Sequence, residues 1–482
     1  MKPPRTFPRL AALAAALLLA GCATVDIDGE ITAVNDSLPG FTEGRLRLDR
    51  GPDSKVQPLP ATAQPQASAV QSLLSSPLTQ SGAVELALTH SPALQALLAE
   101  RWAGMAQAQA GGRLPNPVFA FERFRIHGEL EFSRMLSFGL LDLLLLPQRQ
   151  SLARSQVAQS RVELASAVVD QVSQVRRAWV DAVAAQQSLG YARQVHEAAD
   201  ASAELARRMQ QAGNFNTLQR ARQHAFYADA TARLAAAQHA ATATRETLVR
   251  LLGLDDAQAA RLVLPQRLPD LPKALRPAQA VGDQAREQRL DWQLAKLQLA
   301  SAGRAQRLDL LHALVDTEVG LRRDTVFEPG GERNTGRGFE LSLRLPLFDW
   351  GSPRVAAMNA QSLAAARRYE AVTRAASSQL RQDYSAYRTA WELARHHQEE
   401  IVPLRRAISE ENLLRYNAMQ IGVFELLADS RDQVASVIAA IDAQRQFWLA
   451  DAVLSASLVG RPQGVDIAAP AGGAGADAGP GH

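Results

Sequence analysis

The chain is poor in cysteine, in aromatics and in long apolar runs, and each shortage removes a class of answer. Its 482 residues include 1 Cys, so it cannot be built on a disulfide framework. Aromatics make up 5% against 47% apolar residues. Ala, Leu and Val therefore fill the core, which suits long, narrowly packed helices better than sheets. Beyond the N-terminus no stretch reaches the roughly 18 uncharged apolar residues of a membrane helix. The nearest, Leu140 to Leu146, is short and broken by Asp142. A bilayer span would have to be made of strands, because helices and closed barrels are the structures that satisfy their backbone in lipid. No GxSxG, P-loop or GxGxxG occurs, the 9 His form no zinc pattern, and there is no Met cluster for soft metals. His396 and His397 with Glu400 read as solvated helix surface, and Asp255-Asp256 as a solvated turn. The expectation is a protein that is not an enzyme, with no catalytic residue, no metal site and no cofactor.

The formal charge of +3 is carried by Lys2, Arg5 and Arg9, which stand in the first 21 residues without an acid among them. Without that segment the chain is neutral and has no basic footprint for nucleic acid. The same three residues form a basic n-region ahead of the short Leu/Ala run Leu10 to Ala20, the pattern of a secretory signal. It ends in Leu19-Ala20-Gly21-Cys22, which resembles the lipobox of bacterial lipoproteins, where the cysteine is acylated and leads the mature chain. Cys22 is thus the expected lipidation site, with palmitate among the acyl groups. Two or more acyl chains give stable anchoring. In that resemblance Ala23, in place of an aspartate, favours the outer membrane.

Five segments follow. Residues 1–21 read as a signal peptide, 22–80 as an extended Pro/Gly/Ser/Gln-rich arm and 461–482 as a disordered Ala/Gly/Pro tail. Between them proline is absent from Gln148 to Leu264, and only Pro403 occurs from Arg354 to Arg461. These stretches predict long helices. A continuous helix from Pro147 to the Gly213-Asn214 break would span on the order of 100 Å. Val168, Val172, Val175, Trp179 and Val183 form one coiled-coil-like seam, and Leu380, Tyr384, Tyr387 and Trp391 a second.

The two stretches are copies. Ser173-Gln174-Val175-Arg176 with Trp179 matches Ser378-Gln379-Leu380-Arg381 with Tyr384, Arg149 falls on Arg354, and Gly253 pairs with Gly460. This predicts a first repeat at 81–260, with a strand pair at 116–140 and a helical hairpin at 148–253. The second, at 261–460, has a strand pair at 314–348 and a hairpin at 353–459. The strands are read from alternation. Val118 to Ile126 precedes Leu130, Phe132, Arg134, Leu136 and Phe138, and Val315, Thr317, Val319 and Leu321 precede Phe339, Leu341, Leu343, Leu345 and Leu347. A Gly-rich turn from Glu328 to Gly338 is expected inside the second pair. Alternation about ten residues long is what a membrane strand needs. Four strands cannot close a barrel, so other subunits must complete it, and a trimer would supply twelve.

The combination resembles the bacterial outer-membrane efflux proteins, the TolC-like channels, in their lipidated branch. The resemblance rests on Ala83-Val84-Glu85-Leu86-Ala87-Leu88 with His90-Ser91-Pro92-Ala93-Leu94, on Leu114-Pro115-Asn116-Pro117, and on Leu345-Pro346-Leu347-Phe348-Asp349-Trp350-Gly351. The glycine-bearing breaks at Gly213 to Leu218 and Met419 to Leu427 extend it, so that it covers about Ser81 to Gly460. It implies an α+β membrane protein, a homotrimer whose long α-helical hairpins form an α-barrel and whose four strands per chain build a 12-stranded transmembrane β-barrel. A periplasmic adaptor protein and an inner-membrane pump are the implied partners, beside outer-membrane lipid. Gly213, Asn214 and Gly422 are the implied adaptor-docking tips. Glu425 falls on an acidic ring of the periplasmic gate, with Ala428 at a second ring position and Asp429 as a shifted substitute. By the pleat, Phe339, Leu341, Leu343 and Leu345 face lipid and Glu340, Ser342 and Arg344 the lumen. Leu140 to Leu146 departs from the family pattern. It reads as an apolar contact, since dipping into the membrane would demand a partner for Asp142. The expected function is an efflux duct. The alternatives are a structural coiled-coil lipoprotein spanning the periplasm and a type I secretion duct.

Overall fold

The computed structural model describes residues 26–38, 41–42, 44–48, 70–126, 129–314, 316–328, 330, 332–344 and 352–460. Cys22, Leu345, Leu347, residues 1–21 and 461–482 and much of the arm lie outside them. In chain order the elements are α1 (Ile27–Ser37), α2 (Gln80–His90), α3 (Pro92–Gly111), β1 (Val118–Ile126), β2 (Glu129–Gly139), α4 (Leu140–Leu144) and α5 (Leu146–Gln211). Then come α6 (Thr217–Leu252), α7 (Asp256–Arg261), α8 (Ala278–Gln288), α9 (Leu290–Leu314), β3 (Asp316–Phe327) and β4 (Arg333–Arg344). Helix α10 (Ser352–His396), a π turn (His397–Ile401), α11 (Val402–Asn417) and α12 (Val423–Val459) complete the fold. Two compact units share these elements. Among the described residues, one holds those from Ala99 to Leu164 and from Asp291 to Arg374 with residues 26–30, and the other those from Ile31 to Leu98, from Ala165 to Leu290 and from Ala375 to Gly460.

The first unit is built on one antiparallel sheet in the order β1-β2-β3-β4. The sequence predicts two strand pairs contributing four strands per chain, and one sheet holds all four. Leu136 of β2 pairs with Leu321 of β3, so the two repeats meet strand to strand. The second hairpin is tighter than expected. Arg333 to Gly338, read as turn, pairs residue by residue with Arg322 to Phe327. The ladder supplies what Gly336 and Gly338 lack in strand preference, and beyond it Glu328 N–H donates to the Glu332 carbonyl at 3.0 Å. Beside the sheet, Asp142 on α4 is paired with Arg149, which also donates to the Gly111 carbonyl at 3.3 Å. The demand for a partner is therefore met within the Leu140 to Leu146 segment and its flank. Arg101 pairs with Glu163 at 3.0 Å, and Arg161 with Glu30.

The arm is not extended throughout. Ile27, Ile31, Val34 and Leu38 stand at 4-3-4 spacing and are buried, and α1 forms because that stripe gives an 11-residue helix an apolar face.

In the second unit α5, which runs 66 residues without a break, buries Val168, Val172, Val175, Trp179 and Val183. Each such side chain contributes roughly 1.5–3 kcal/mol on burial. The second seam is turned by one residue from the expected one. In the stretch after Leu380, Asp383, Tyr387, Ala390 and Ala394 are the buried positions of α10, while Tyr384 and Trp391 are half-buried. Their polar atoms explain the rotation. Tyr384 donates its hydroxyl to the Arg276 carbonyl at 2.9 Å, and Trp391 Nε1 donates to the Pro272 carbonyl at 3.0 Å. A buried tyrosine or tryptophan needs such an acceptor. Asp383 is held by Ser457 Oγ at 2.7 Å and Gln379 Nε2 at 2.9 Å.

The same device recurs in the first repeat. Trp179 Nε1 donates to the Leu78 carbonyl at 2.8 Å. Leu78 and Arg276 each immediately precede a helix N-cap, Thr79 for α2 and Pro277 for α8. In both repeats an aromatic from the long helix thus clamps the chain where a short helix begins. Closer packing appears at Gly253, the left-handed C-cap of α6 (φ 73°), where an added Cβ would collide with the Pro92 ring.

Replacing Trp179 by Phe keeps the ring and strands the buried Leu78 carbonyl. It should cost about 1–3 kcal/mol of stability, read as a lowered thermal midpoint of the purified protein.

Candidate functional site

The long hairpins end in two turns of matching geometry. Helix α5 stops at Gln211, Gly213 takes a left-handed conformation (φ 79°), and Asn214 N–H donates back to the Met209 carbonyl at 2.8 Å. Helix α11 stops at Asn417, Met419 takes the left-handed conformation (φ 60°), and Gln420 N–H donates to the Arg415 carbonyl at 2.8 Å. Both are Schellman closures, in which one residue must go left-handed. Gln211 and Asn417, Gly213 and Met419, Asn216 and Gly422, and Gln219 and Glu425 each stand 206 positions apart.

This register adds one tip residue. Gly422 is the counterpart of Asn216, the N-cap, and the counterpart of Gly213 is Met419. Sequence reasoning missed Met419 because it sought a glycine where the turn needs only a left-handed residue. Laying the tips over each other by the helix ends would have found it. Among the described residues Met419 is the one non-glycine with positive φ, and its side chain is 93% exposed.

The start of each return helix explains where Glu425 sits. Asn216 accepts from Gln219 N–H at 2.8 Å while Gln219 Oε1 accepts from Asn216 N–H at 2.7 Å, a capping box. In the second repeat Gly422 offers no side-chain cap, and Glu425 occupies the third helical position, exposed and in the first turn of α12. A carboxylate there is favoured by the positive end of the helix dipole. Asp429, one turn on, is 8% exposed, and its Oδ2 has no hydrogen-bond partner among the described residues. Gly213, Asn214 and Gly422 are exposed, and Phe215 beside them is buried.

Farther along the helices, alanines and the charged side chains Asp181, Arg233, Asp442 and Arg445, with His397, line a groove of about 890 Å³. Arg445 pairs with Asp181 at 2.7 Å. Burial and neighbouring His396 push the His397 imidazole below its ordinary 6.5. His396 pairs with Glu400 at 3.1 Å on the surface, and no group of three His, Cys, Asp or Glu side chains among the described residues is placed to hold a metal.

In the sheet, strand register sorts the side chains. Phe119, Leu136, Leu321 and Phe339 stand in one cross-strand row, and Phe138, Val319 and Leu341 in the next. Glu122, Glu131, Glu318, Asp324 and Glu340 all fall on the opposite face. Phe339 is 80% exposed, and Leu341 and Leu343 are more than half exposed. No described helix is long and apolar enough to cross a membrane.

Met419 carries a left-handed penalty that Gly213 does not. Met419→Gly should stabilise the second tip by roughly 0.5–1 kcal/mol after the loss of chain entropy is counted. The check is slower hydrogen exchange at Gln420, and Gly213→Met should produce the reverse effect at Asn214.

No family model and no curated protein matches the sequence. Solved structures do match. A membrane protein from Pseudomonas aeruginosa aligns with a TM-score of 0.65 at 20% identity, over 86% of this chain and 96% of that one. The CmeC outer membrane channel of Campylobacter jejuni aligns at 0.65 and 15% identity, over 88% and 94%. The open state of the MtrE outer membrane channel of Neisseria gonorrhoeae aligns at 0.60 and 17% identity, over 86% and 98%. The likeness is one of fold, and the chain has the fold of the TolC-like outer-membrane efflux channels.

Proposed function

We propose that the chain is the outer-membrane channel of a tripartite efflux system, a passive duct that carries small molecules or metal ions out of the periplasm and performs no catalysis. The observation that carries this reading is the sheet. It has four antiparallel strands, an apolar face, an acidic face, and unpaired edges at β1 and β4. Such a sheet satisfies its backbone in lipid only when its edges are paired. Three copies, β4 to β1 around a ring, give a closed barrel of twelve strands with the apolar faces toward lipid. The acidic faces then line water. The likeness to outer-membrane channels supports the same assembly.

On this reading residues 81–260 and 261–460 are duplicated halves, Cys22 carries the acyl anchor, and the long hairpins continue the duct through the periplasm. Gly213, Asn214 and Gly422, with Met419 beside them, form the tips that meet an adaptor protein. An inner-membrane pump supplies the energy and the cargo selectivity, because a wide aqueous duct discriminates weakly. Glu425 belongs to the closed end. Three copies would set three carboxylates around the axis, a ring that repels itself and attracts cations. Asp429, buried beneath that surface, would serve the gate from behind it.

Two measurements test the assignment. Purified trimer in a planar bilayer should conduct, and Glu425→Ala should raise resting conductance or reduce cation selectivity several-fold. Unchanged conductance and selectivity would remove Glu425 from the gate. Leu343→Asp, on the lipid face, should cost on the order of 1–2 kcal/mol per subunit and deplete the heat-modifiable trimer, while Ser342→Asp should assemble normally. Equal effects at the two positions would overturn the orientation of the sheet.

A further inference from the structure

The apolar sheet face is not uniform along its length. Three cross-strand rows nearest the β1–β2 and β3–β4 turns carry arginines. They are Arg125, Leu130, Phe327 and Arg333; then Arg123, Phe132, Thr325 and Thr335; then Phe121, Arg134, Arg323 and Arg337. The rows nearer the helices, from Phe119, Leu136, Leu321 and Phe339 onward, carry none. Six arginines thus share one end of one face. No described carboxylate lies on that face, because Glu122, Glu129, Glu131, Glu318, Asp324 and Glu340 all have the opposite parity in the ladder. Arg322, on the acidic face, is paired with Asp324 at 3.0 Å. None of the six has an ion-pair partner among the described residues.

Arg134, Arg323 and Arg337 are directly opposite one another on three successive strands. Like charges so placed repel across about 5 Å. With no protein carboxylate to neutralise them, the counter-charge must come from outside. The surroundings fit a headgroup. Phe121, Phe132 and Phe327 make a continuous aromatic stripe through the patch, with ring centroids 5.9 Å apart at each step. Arg123 lies 6.0 Å from the Phe132 ring centre and Arg333 5.8 Å from that of Phe327, so both guanidinium groups are laid along the surface. Beside Phe132 in the same row Thr325 is fully buried, and its hydroxyl oxygen has no partner among the described residues.

Resting on the channel reading, which puts this face in lipid and the turns outside the cell, we propose that these six arginines bind the phosphates of outer-leaflet lipid headgroups. The occupant is the diphosphorylated glucosamine lipid of that leaflet. Arginine's planar fork matches phosphate bidentately. Arg134, Arg323 and Arg337 hold one phosphate group between neighbouring strands, Arg123, Arg125 and Arg333 reach a second, and the aromatic stripe meets the top of the acyl chains. The apolar rows toward the helices continue as the lipid-facing band.

The test uses the full-length trimer in phosphatidylcholine nanodiscs titrated with diphosphoryl lipid A, with bound lipid counted by native mass spectrometry. The Arg134→Gln/Arg323→Gln/Arg337→Gln trimer should bind at least tenfold more weakly, and Arg322→Gln, on the other face, should bind as the unaltered protein does. Arg323→Gln and Arg337→Gln singly should each weaken binding about threefold while the heat-modifiable trimer is retained, which keeps the test valid if the triple substitution misassembles. Dephosphorylated lipid A should bind the unaltered protein as weakly as the diphosphoryl form binds the triple variant. Binding by the variants within twofold of the unaltered protein would overturn the proposal, as would displacement of the lipid by millimolar inorganic phosphate, which would mark a free-ion site. Insertion and conductance in phosphatidylcholine alone separate the two readings. A protein that inserts and conducts but shows no arginine-dependent lipid binding remains a channel without this site, and one that never inserts loses both.

Discussion

An edge strand carries a row of N–H and C=O groups that hydrocarbon cannot satisfy, and the sheet has two of them, β1 and β4. Each unpaired group in lipid costs several kcal/mol. The sheet therefore tolerates a membrane only as a sector of something closed, and the trimer proposed above, with acidic faces inward and arginine rows outward, would supply that closure. The nine residues of β1 and twelve of β4 are long and lack proline, so nothing in them blunts pairing. In water the same edges would be a liability.

The strands and the first seam were legible because their signals are local. Alternation marks Glu129 to Phe138, and a valine every three or four residues marks the buried stripe of α5. What escaped had a tertiary cause. Arg333 to Gly338 looks like a turn by composition and is a strand by partnership. Tyr384 and Trp391 look like core and sit at its margin, because their polar atoms reach for carbonyls contributed over a hundred residues earlier in the chain. The small helix α1 carried a readable stripe at Ile27, Ile31, Val34 and Leu38, overshadowed by the polar composition around it.

Of the site, the exposed apolar alternation from Phe339 to Leu343 could be read from the chain, whereas the tips could be read only in outline. Gly213 announces itself. Met419 does not, since nothing in a methionine signals positive φ. The arginine rows were invisible for a different reason. Arg123, Arg134, Arg323 and Arg337 are scattered over more than two hundred positions and become neighbours only through the β2–β3 pairing.

The π turn at His397–Ile401 ties two of these observations together. Ahead of it the repeats match at an offset of 205, as Trp179 does with Tyr384, and beyond it at 206, as Gly213 does with Met419. One residue has been gained in between. Added to a regular helix, it would rotate everything downstream by about 100° and carry a buried stripe round to solvent. A turn closed from Val402 N–H to the His397 carbonyl takes up that residue where it stands. Pro403, which lacks an N–H to give, follows in the first turn of α11, where least is asked of it. The helix thereby keeps its phase across an insertion, and that is why a tip built from different residues still closes in the same way.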